Sequence, residues 1–324
     1  MTKAIGIAVV LMVVCVGTSL KAPAFMGTAN IQNIINWTSL FSILAIGAAI
    51  VIISGGIDLS IGSVVGLVGC TMALVANRWE VAPGVAVVLV LLLAATIGLV
   101  HGLLVTKLRL QPFVVTLCGL LIYRGLARWS TGEATQGFAN ERWDDLREIV
   151  GTVPMPGFEE LRLPIPLFLM LGLAILAGGF LHWTIYGRYL LALGRNEQAA
   201  RYSGINTDRM VILAYVMCSL IAGFGGVLLA LDINALQPSS FGDSWELYAI
   251  AGAVLGGCSL RGGEGSILGV VIGTALIRVL YNASSMLGIS TSLEPTTIGA
   301  VILLGVMIDE IVHRISAQRQ RRSG

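Results

Sequence analysis

A chain of 324 residues that is 56% hydrophobic and only 12% charged carries more apolar side chain than a water-soluble domain can bury without exposing large patches. Its net charge of +2 supplies no basic surplus, so nucleic acid is not an expected partner. The mean hydropathy of +0.87 points to a lipid bilayer as the solvent.

Apolar runs of about 20 residues, the length that crosses a bilayer as a helix, recur along the chain. They are too long and too uniformly apolar for barrel strands that alternate between lipid and lumen, which leaves helices. The fold class expected is all-α: a polytopic membrane protein of about ten transmembrane helices, in a single domain over 1–324. The first run, 4–20, follows Lys3 and precedes "APA" at 22–24, an arrangement that also fits a cleaved signal peptide. The next two runs, 34–54 and 60–77, join through "VIISGGIDLSIGSVVGLVG", residues 51–69. Gly55 and Gly56 permit backbone angles that interrupt a helix, and Asp58, Ser60 or Ser63 suits the cap of the next one. Two placements of this break are open. At the membrane edge Asp58 is only a cap. Deeper in, these five residues line a wetted path, because a lone carboxylate in lipid costs on the order of 2.5–3.5 kcal/mol.

The runs 83–106 and 111–128 follow. Within "LLIYRGLARWS", Arg124 has Arg128 one turn later, and it either snorkels to the surface or pairs and lines a path. The loop 129–163 is long and acidic. Trp129, Trp143 and Trp245 stand near run boundaries, where aromatic belts form. After the run 164–183 comes "YGRYLLALGRNEQAARYSGINTDRM", residues 186–210, polar and carrying Arg188, Arg195, Arg201 and Arg209. Asn196 is a good N-cap, "EQAARYS" makes a two-turn helix and Gly204 is a suitable stop. So short a helix needs a surface to pack on, either the chain's own helix ends or a partner. The remaining runs are 210–231, 244–258, 265–284 and 295–313, followed by a basic tail, 314–324. Of all ten, 60–77 and 244–258 are short enough to be partial crossings. Arg278 and, one turn later, Asn282 share one helix face and face the same choice as Arg124.

With a cytoplasmic amino terminus and ten crossings, twelve Lys and Arg fall on the cytoplasmic side against six outside. That bias places both termini in the cytoplasm. Glycine is abundant, with forty residues, and Gly62 and Gly66, Gly98 and Gly102, and Gly265, Gly269 and Gly273 recur at the four-residue spacing of tight helix packing in lipid. The stretch from Gly55 can be laid on "GGCSLRGGEGSILGVVIGT" from Gly256, and "QPFVVTLCGLLI" on "EPTTIGAVILLG". Two related halves with broken helices are a common transporter build.

Chemistry-bearing motifs are missing. The five cysteines stand singly in apolar runs and the three histidines are scattered, so no metal site is expected. No HExxH or GxSxG occurs, hence no catalytic residue and no cofactor are assigned. None of the three lysines follows a glycine, which excludes a Walker A loop. If ATP drives this protein, another chain binds it.

Three stretches in order carry a resemblance: "SGGIDLSIGSVVG", "GRNEQAARYSGIN" and "WELYAIAGAVLGGCSLRGGEGSILGVVIGTAL". Together they resemble the permease subunits of bacterial ABC sugar importers of the ribose, xylose, arabinose and galactose type, related to branched-chain amino-acid permeases. The resemblance spans residues 40 to 310. It implies an inner-membrane permease that moves a monosaccharide or similar small solute, a second permease copy or paralogue, two ATP-binding subunits and a periplasmic sugar-binding protein. It also implies that 185–209 is the coupling loop, with Arg195, Asn196, Glu197, Ala199, Ala200, Arg201 and Gly204 meeting the ATPase. On the outer loop, Arg142, Asp144, Asp145 and Arg147 are suited to dock the binding protein, or simply solvate a cover over the helix ends. Glu264 departs from the small or basic residue expected there. A secondary transporter driven by an ion gradient is the alternative, with Asp58 as its coupling carboxylate.

Overall fold

The computed structural model describes residues 2–138, 141–155 and 158–293, then 295–297, 299–300, 303 and 307. Its helices are α1 (Thr2–Lys21), α2 (Thr28–Ile53), α3 (Ile61–Arg78), α4 (Pro83–Lys107), α5 (Pro112–Thr131), α6 (Asp144–Arg147), α7 (Ile165–Trp183), α8 (Ile185–Arg195), α9 (Glu197–Tyr202), α10 (Thr207–Ile233), α11 (Trp245–Leu255) and α12 (Ile267–Met286). Seven of them, α2, α3, α4, α5, α7, α10 and α12, are long and apolar enough to cross a membrane, while the stretch Ile5–Lys21 of α1 and the whole of α11 are shorter apolar helices. The polytopic helical fold expected from the apolar runs is the fold observed. The run 295–313 lies largely, and the tail 314–324 wholly, outside the described residues.

α2 forms the centre. Every residue from Ser39 to Ile53 is buried, and the helix packs on α10, α12, α11 and α7. α3 is buried along most of its length against α10 and α5. The outer helices α4, α5 and α7 expose Leu92, Leu121, Ile122, Ile175 and Leu176, the side chains a lipid tail accepts. Polar pairs tie α12 to α2. Asn282 and Asn30 exchange amide hydrogen bonds of 2.7 and 3.0 Å, and the Arg278 guanidinium lies 4.4 Å above the Phe41 ring and 5.1 Å from those of Trp37 and Tyr281. An aromatic cage of this kind offers a half-buried guanidinium the ring quadrupole in place of part of its water.

The connection from α5 to α7 departs from a purely helical reading. It holds α6 and an antiparallel hairpin, β1 (Thr152–Met155) with β2 (Phe158–Pro164). Trp143 is 1% exposed and stacks on Phe138 at 4.7 Å, so it serves as the core of this cap and not as a lipid-interface residue. Trp245 is likewise turned inward, against Phe41 and Phe241. Trp129 alone of the three is fully outward, at 81% exposure.

Where α4 crosses α10 the backbones touch. A Cβ on Gly98 would lie 2.5 Å from the Tyr215 carbonyl oxygen, and one on Gly102 would lie 2.7 Å from Cα of Ile212. In lipid such close approach replaces the hydrophobic drive for helix association. Gly172 on α7 has open space around it. Gly98→Leu is therefore expected to destabilise the purified protein by about 1–3 kcal/mol, read from its unfolding midpoint in detergent. Gly172→Leu should leave the midpoint within about 0.5 kcal/mol of the wild type.

Candidate translocation and coupling sites

The break between α2 and α3 is built from residues 54–60. Gly55 adopts a φ of 89°, open to glycine and strained for other residues, and turns the chain back on itself. The Ile57 carbonyl accepts from the Tyr215 hydroxyl at 3.2 Å, and the Thr116 hydroxyl, whose shorter bond of 3.0 Å goes to Pro112 of its own helix, lies 3.4 Å away. One oxygen of Asp58 accepts the Ser60 amide at 2.8 Å and the Ser60 hydroxyl at 2.6 Å, which fixes the first turn of α3. Ser63 in turn donates to the Ser60 carbonyl at 2.8 Å. Asp58 is 2% exposed, and its charge reaches His101, Tyr123, Tyr215 and Cys218 on three other helices. The carboxylate is thus enclosed by its own chain, while Gly56 closes against the Tyr215 hydroxyl.

A second irregular segment, 237–244, leads into α11 and lies on the glycine face of α3. A Cβ on Gly66 would lie 2.9 Å from the Phe241 carbonyl, one on Gly69 would lie 2.6 Å from the Phe241 ring, and one on Gly62 would overlap the Gly242 carbonyl and the Glu246 carboxylate. The spacing that suggested helix on helix therefore receives a loop. Arg124 holds that loop down. Its guanidinium donates to the Phe241 carbonyl at 2.5 Å and the Pro238 carbonyl at 3.4 Å, with Asp243 at 3.9 Å. Arg128 faces elsewhere and pairs with Glu133.

A third irregular segment, between α11 and α12, meets the first. The Gly263 amide donates to the Ile53 carbonyl at 2.8 Å, and a Cβ on Gly262 would lie 2.9 Å from Cα of Gly55. Gly194, at the end of α8, sits in the same junction: any side chain there would overlap the Ile53 carbonyl and the Gly263 amide. Arg195 packs on Gly263. Backbone from α8 thus touches both interruptions with no side chain between.

Beyond α8, the Asn196 side chain caps α9 by accepting the Ala199 amide at 2.9 Å. Glu197 and Arg201 pair at 2.9 Å, and Arg201 also donates to Thr207 at 2.9 Å. Gly204, with a φ of 84°, makes the exit turn. Ala200 is buried against its own chain, whereas Ala199 is exposed and Tyr202 is 90% exposed. Asp208 gathers Arg201 at 3.5 Å, Lys107 at 3.2 Å and Arg109 at 3.5 Å, joining α9 to the α4–α5 turn. At the opposite end of the bundle, Arg142, Asp144 and Asp145 are exposed on the α5–α7 cap, and Arg147 lies 3.8 Å from Asp144. Among the described residues no group of three or more His, Cys, Asp or Glu side chains is placed to hold a metal ion.

Sequence reasoning did not single out Tyr202, Asp208, Asp243 or Glu246. Tyr202 had a signal, an aromatic side chain among charged neighbours; the other three become meaningful only through contacts across the fold. Arg278 and Asn282 lie together on the α2–α12 contact, apart from Asp58 and from Arg124.

Comparison with known proteins bears on what these parts do. The family model described as the permease component of branched-chain amino acid transport systems matches residues 30–308. The ribose import permease RbsC of Escherichia coli (strain K12) is 37% identical over 302 residues, covering 93% of this chain and 92% of that protein. RbsC of Bacillus subtilis (strain 168) is 34% identical over 307 residues, covering 92% and 90%. The xylose transport system permease XylH of Haemophilus influenzae is 31% identical over 341 residues, covering 88% and 90%. No solved structure matches the chain.

Removing the acceptor at the first break tests its structural weight. Asp58→Ala leaves the Ser60 amide and hydroxyl unpaired, and is expected to cost about 1–3 kcal/mol in the unfolding midpoint of the purified protein. Asp58→Asn, which keeps an oxygen in place, should cost less than half as much.

Proposed function

This chain belongs to the family of permease components of branched-chain amino acid transport systems, and from that premise we propose that it carries a monosaccharide, or a similar small polar solute, across the bacterial inner membrane. It does so as the membrane-spanning part of an ATP-driven importer, a reading supported by the ribose and xylose import permeases it is similar to. Both termini lie in the cytoplasm, which puts α8 and α9 on the cytoplasmic side and the α5–α7 cap outside. ATP is bound and hydrolysed by separate subunits, two permeases stand side by side, and a periplasmic binding protein delivers the solute to the cap. Arg142, Asp144, Asp145 and Arg147 are its docking contacts.

The observation that carries the coupling is the path from α9 to the two interruptions. α9 offers the ATPase its exposed face, Gln198, Ala199 and Tyr202, while Ala200 anchors it to the permease. Arg195 and Gly194 stand at the other end of the lever, against Gly263 and the Ile53 carbonyl. Packed backbone has two arrangements more readily than a continuum of them, so a displaced α9 shifts both interruptions together. The Asp58 cap keeps the start of α3 intact during that shift and supports the path wall from behind. Gly55, Gly56, Ser60 and Ser63 act with it. An ion-coupled mechanism draws no support from the relatives, which are ribose and xylose import permeases.

Reconstitution with the ATPase and the binding protein in proteoliposomes tests this reading. The chain alone is expected to hydrolyse no ATP and take up no solute. Ala199→Arg and Tyr202→Ala should each lower solute uptake about tenfold or more while membrane insertion stays normal, either by releasing the ATPase or by letting it hydrolyse ATP unproductively. Native uptake rates in both assembled variants would show that α9 is not the coupling element.

A further inference from the structure

The segment 237–244 starts at the end of the bundle, where Gln237 accepts the Thr135 hydroxyl beyond α5, and dips inward until Gly242 meets Gly62. Arg124, which grips it, lies seven residues before the last residue of α5, or about 10 Å deeper at 1.5 Å per residue. Trp129, with 81% exposure, marks the interface level above it. The Phe241 ring reaches Gly69, halfway along α3. At that depth the loop nevertheless presents Ser239, Ser240 and Asp243 outward, and the Asp243 side chain is 66% exposed.

Lipid does not tolerate a carboxylate and two hydroxyls on one surface, so this face must be wetted or covered by polar groups. Asp243 is also held ready to accept. The Arg124 guanidinium spends its short hydrogen bond on the Phe241 carbonyl and stands 3.9 Å from Asp243, and the Ser244 hydroxyl reaches Asp243 only at 3.4 Å. The arginine offsets the carboxylate's charge and fixes the loop, while most of the carboxylate's acceptor capacity faces outward. A neutral solute rich in hydroxyls fits such a surface: Asp243 accepts from adjacent hydroxyls, and the two serines both donate and accept.

We propose that Ser239, Ser240 and Asp243, positioned by Arg124, form a hydroxyl-recognising station in the outer half of the permeation path. The station rests on the importer reading and adds to it a place and a chemistry for the solute. It takes a polyol through hydrogen bonds on a loop and does not enclose it.

The test uses the full importer in proteoliposomes, in a chain whose Cys15 and Cys118 are replaced by Ala. With Ser240→Cys, a charged, membrane-impermeant thiol reagent added outside is expected to label the new thiol. D-ribose supplied with binding protein and ATP should slow that labelling several-fold. Asp243→Asn should lower D-ribose uptake about tenfold at saturating binding protein, the loss expected for one charge-assisted hydrogen bond, and Asp243→Glu should recover most of it. An unreactive thiol at Ser240→Cys overturns the station whatever uptake does, since the face is then buried in a partner or in lipid. Normal uptake by Asp243→Asn also overturns it. If the wild-type complex imports no D-ribose while Ser240→Cys labels, the wetted face stands and the sugar reading fails.

Discussion

Inside a bilayer every backbone polar group must be satisfied by the protein, and the interruption between α2 and α3 meets that demand with partners drawn from three directions. The Ile57 carbonyl accepts from Tyr215 of α10 with Thr116 of α5 packed 3.4 Å away, and the Ile53 carbonyl accepts from Gly263 in the segment before α12. Asp58 completes the set by closing the first turn of α3. Because these contacts end on different elements, the geometry of the break depends on how α5, α10 and the segment before α12 pack around α2. What reads locally as a weak point in a helix is the position where the bundle is most tightly specified.

The same constraint explains the placement of glycine. Gly194, Gly263 and Gly55 bring three chain segments into backbone contact, and Gly62, Gly66 and Gly69 let a loop lie on α3 where a helix face would ordinarily present side chains. A glycine spaced four residues from another therefore signals close approach without saying what approaches. On α4 it is a helix, α10; on α3 it is the loop that Arg124 secures.

Features governed by local chemistry were legible from the amino-acid sequence. Within the described residues the apolar runs became helices, Gly55 became the turn, and Asn196 became the cap of α9, because each depends on its neighbours in the chain. Features governed by distant contacts were not. Trp143 has the sequence context of an interfacial aromatic, yet the α5–α7 connection folds into a cap with enough substance to bury it against Phe138. Ala199 and Ala200 are identical in sequence terms, and only the packing of α9 separates the exposed one from the buried one. Asp208 gives no local signal, because its three cationic partners come from α9, α4 and the turn after α4.

An importer fed by a separate binding protein has little use for a tight site of its own, since a solute held firmly in the membrane would not be released on the far side. The first and second irregular segments divide the work accordingly. The one near Asp58 is buried and in backbone contact with Gly194 at the end of α8, properties suited to transmitting displacement. The one at 237–244 exposes Asp243 on one face and is gripped by a single arginine from a neighbouring helix, properties suited to brief contact with a polar solute. They meet on α3: Asp58 fixes its first turn, and Gly62, two residues beyond Ser60, carries the second loop. On the proposed coupling and station, a shift of α3 driven from the ATPase side would carry the 237–244 loop with it.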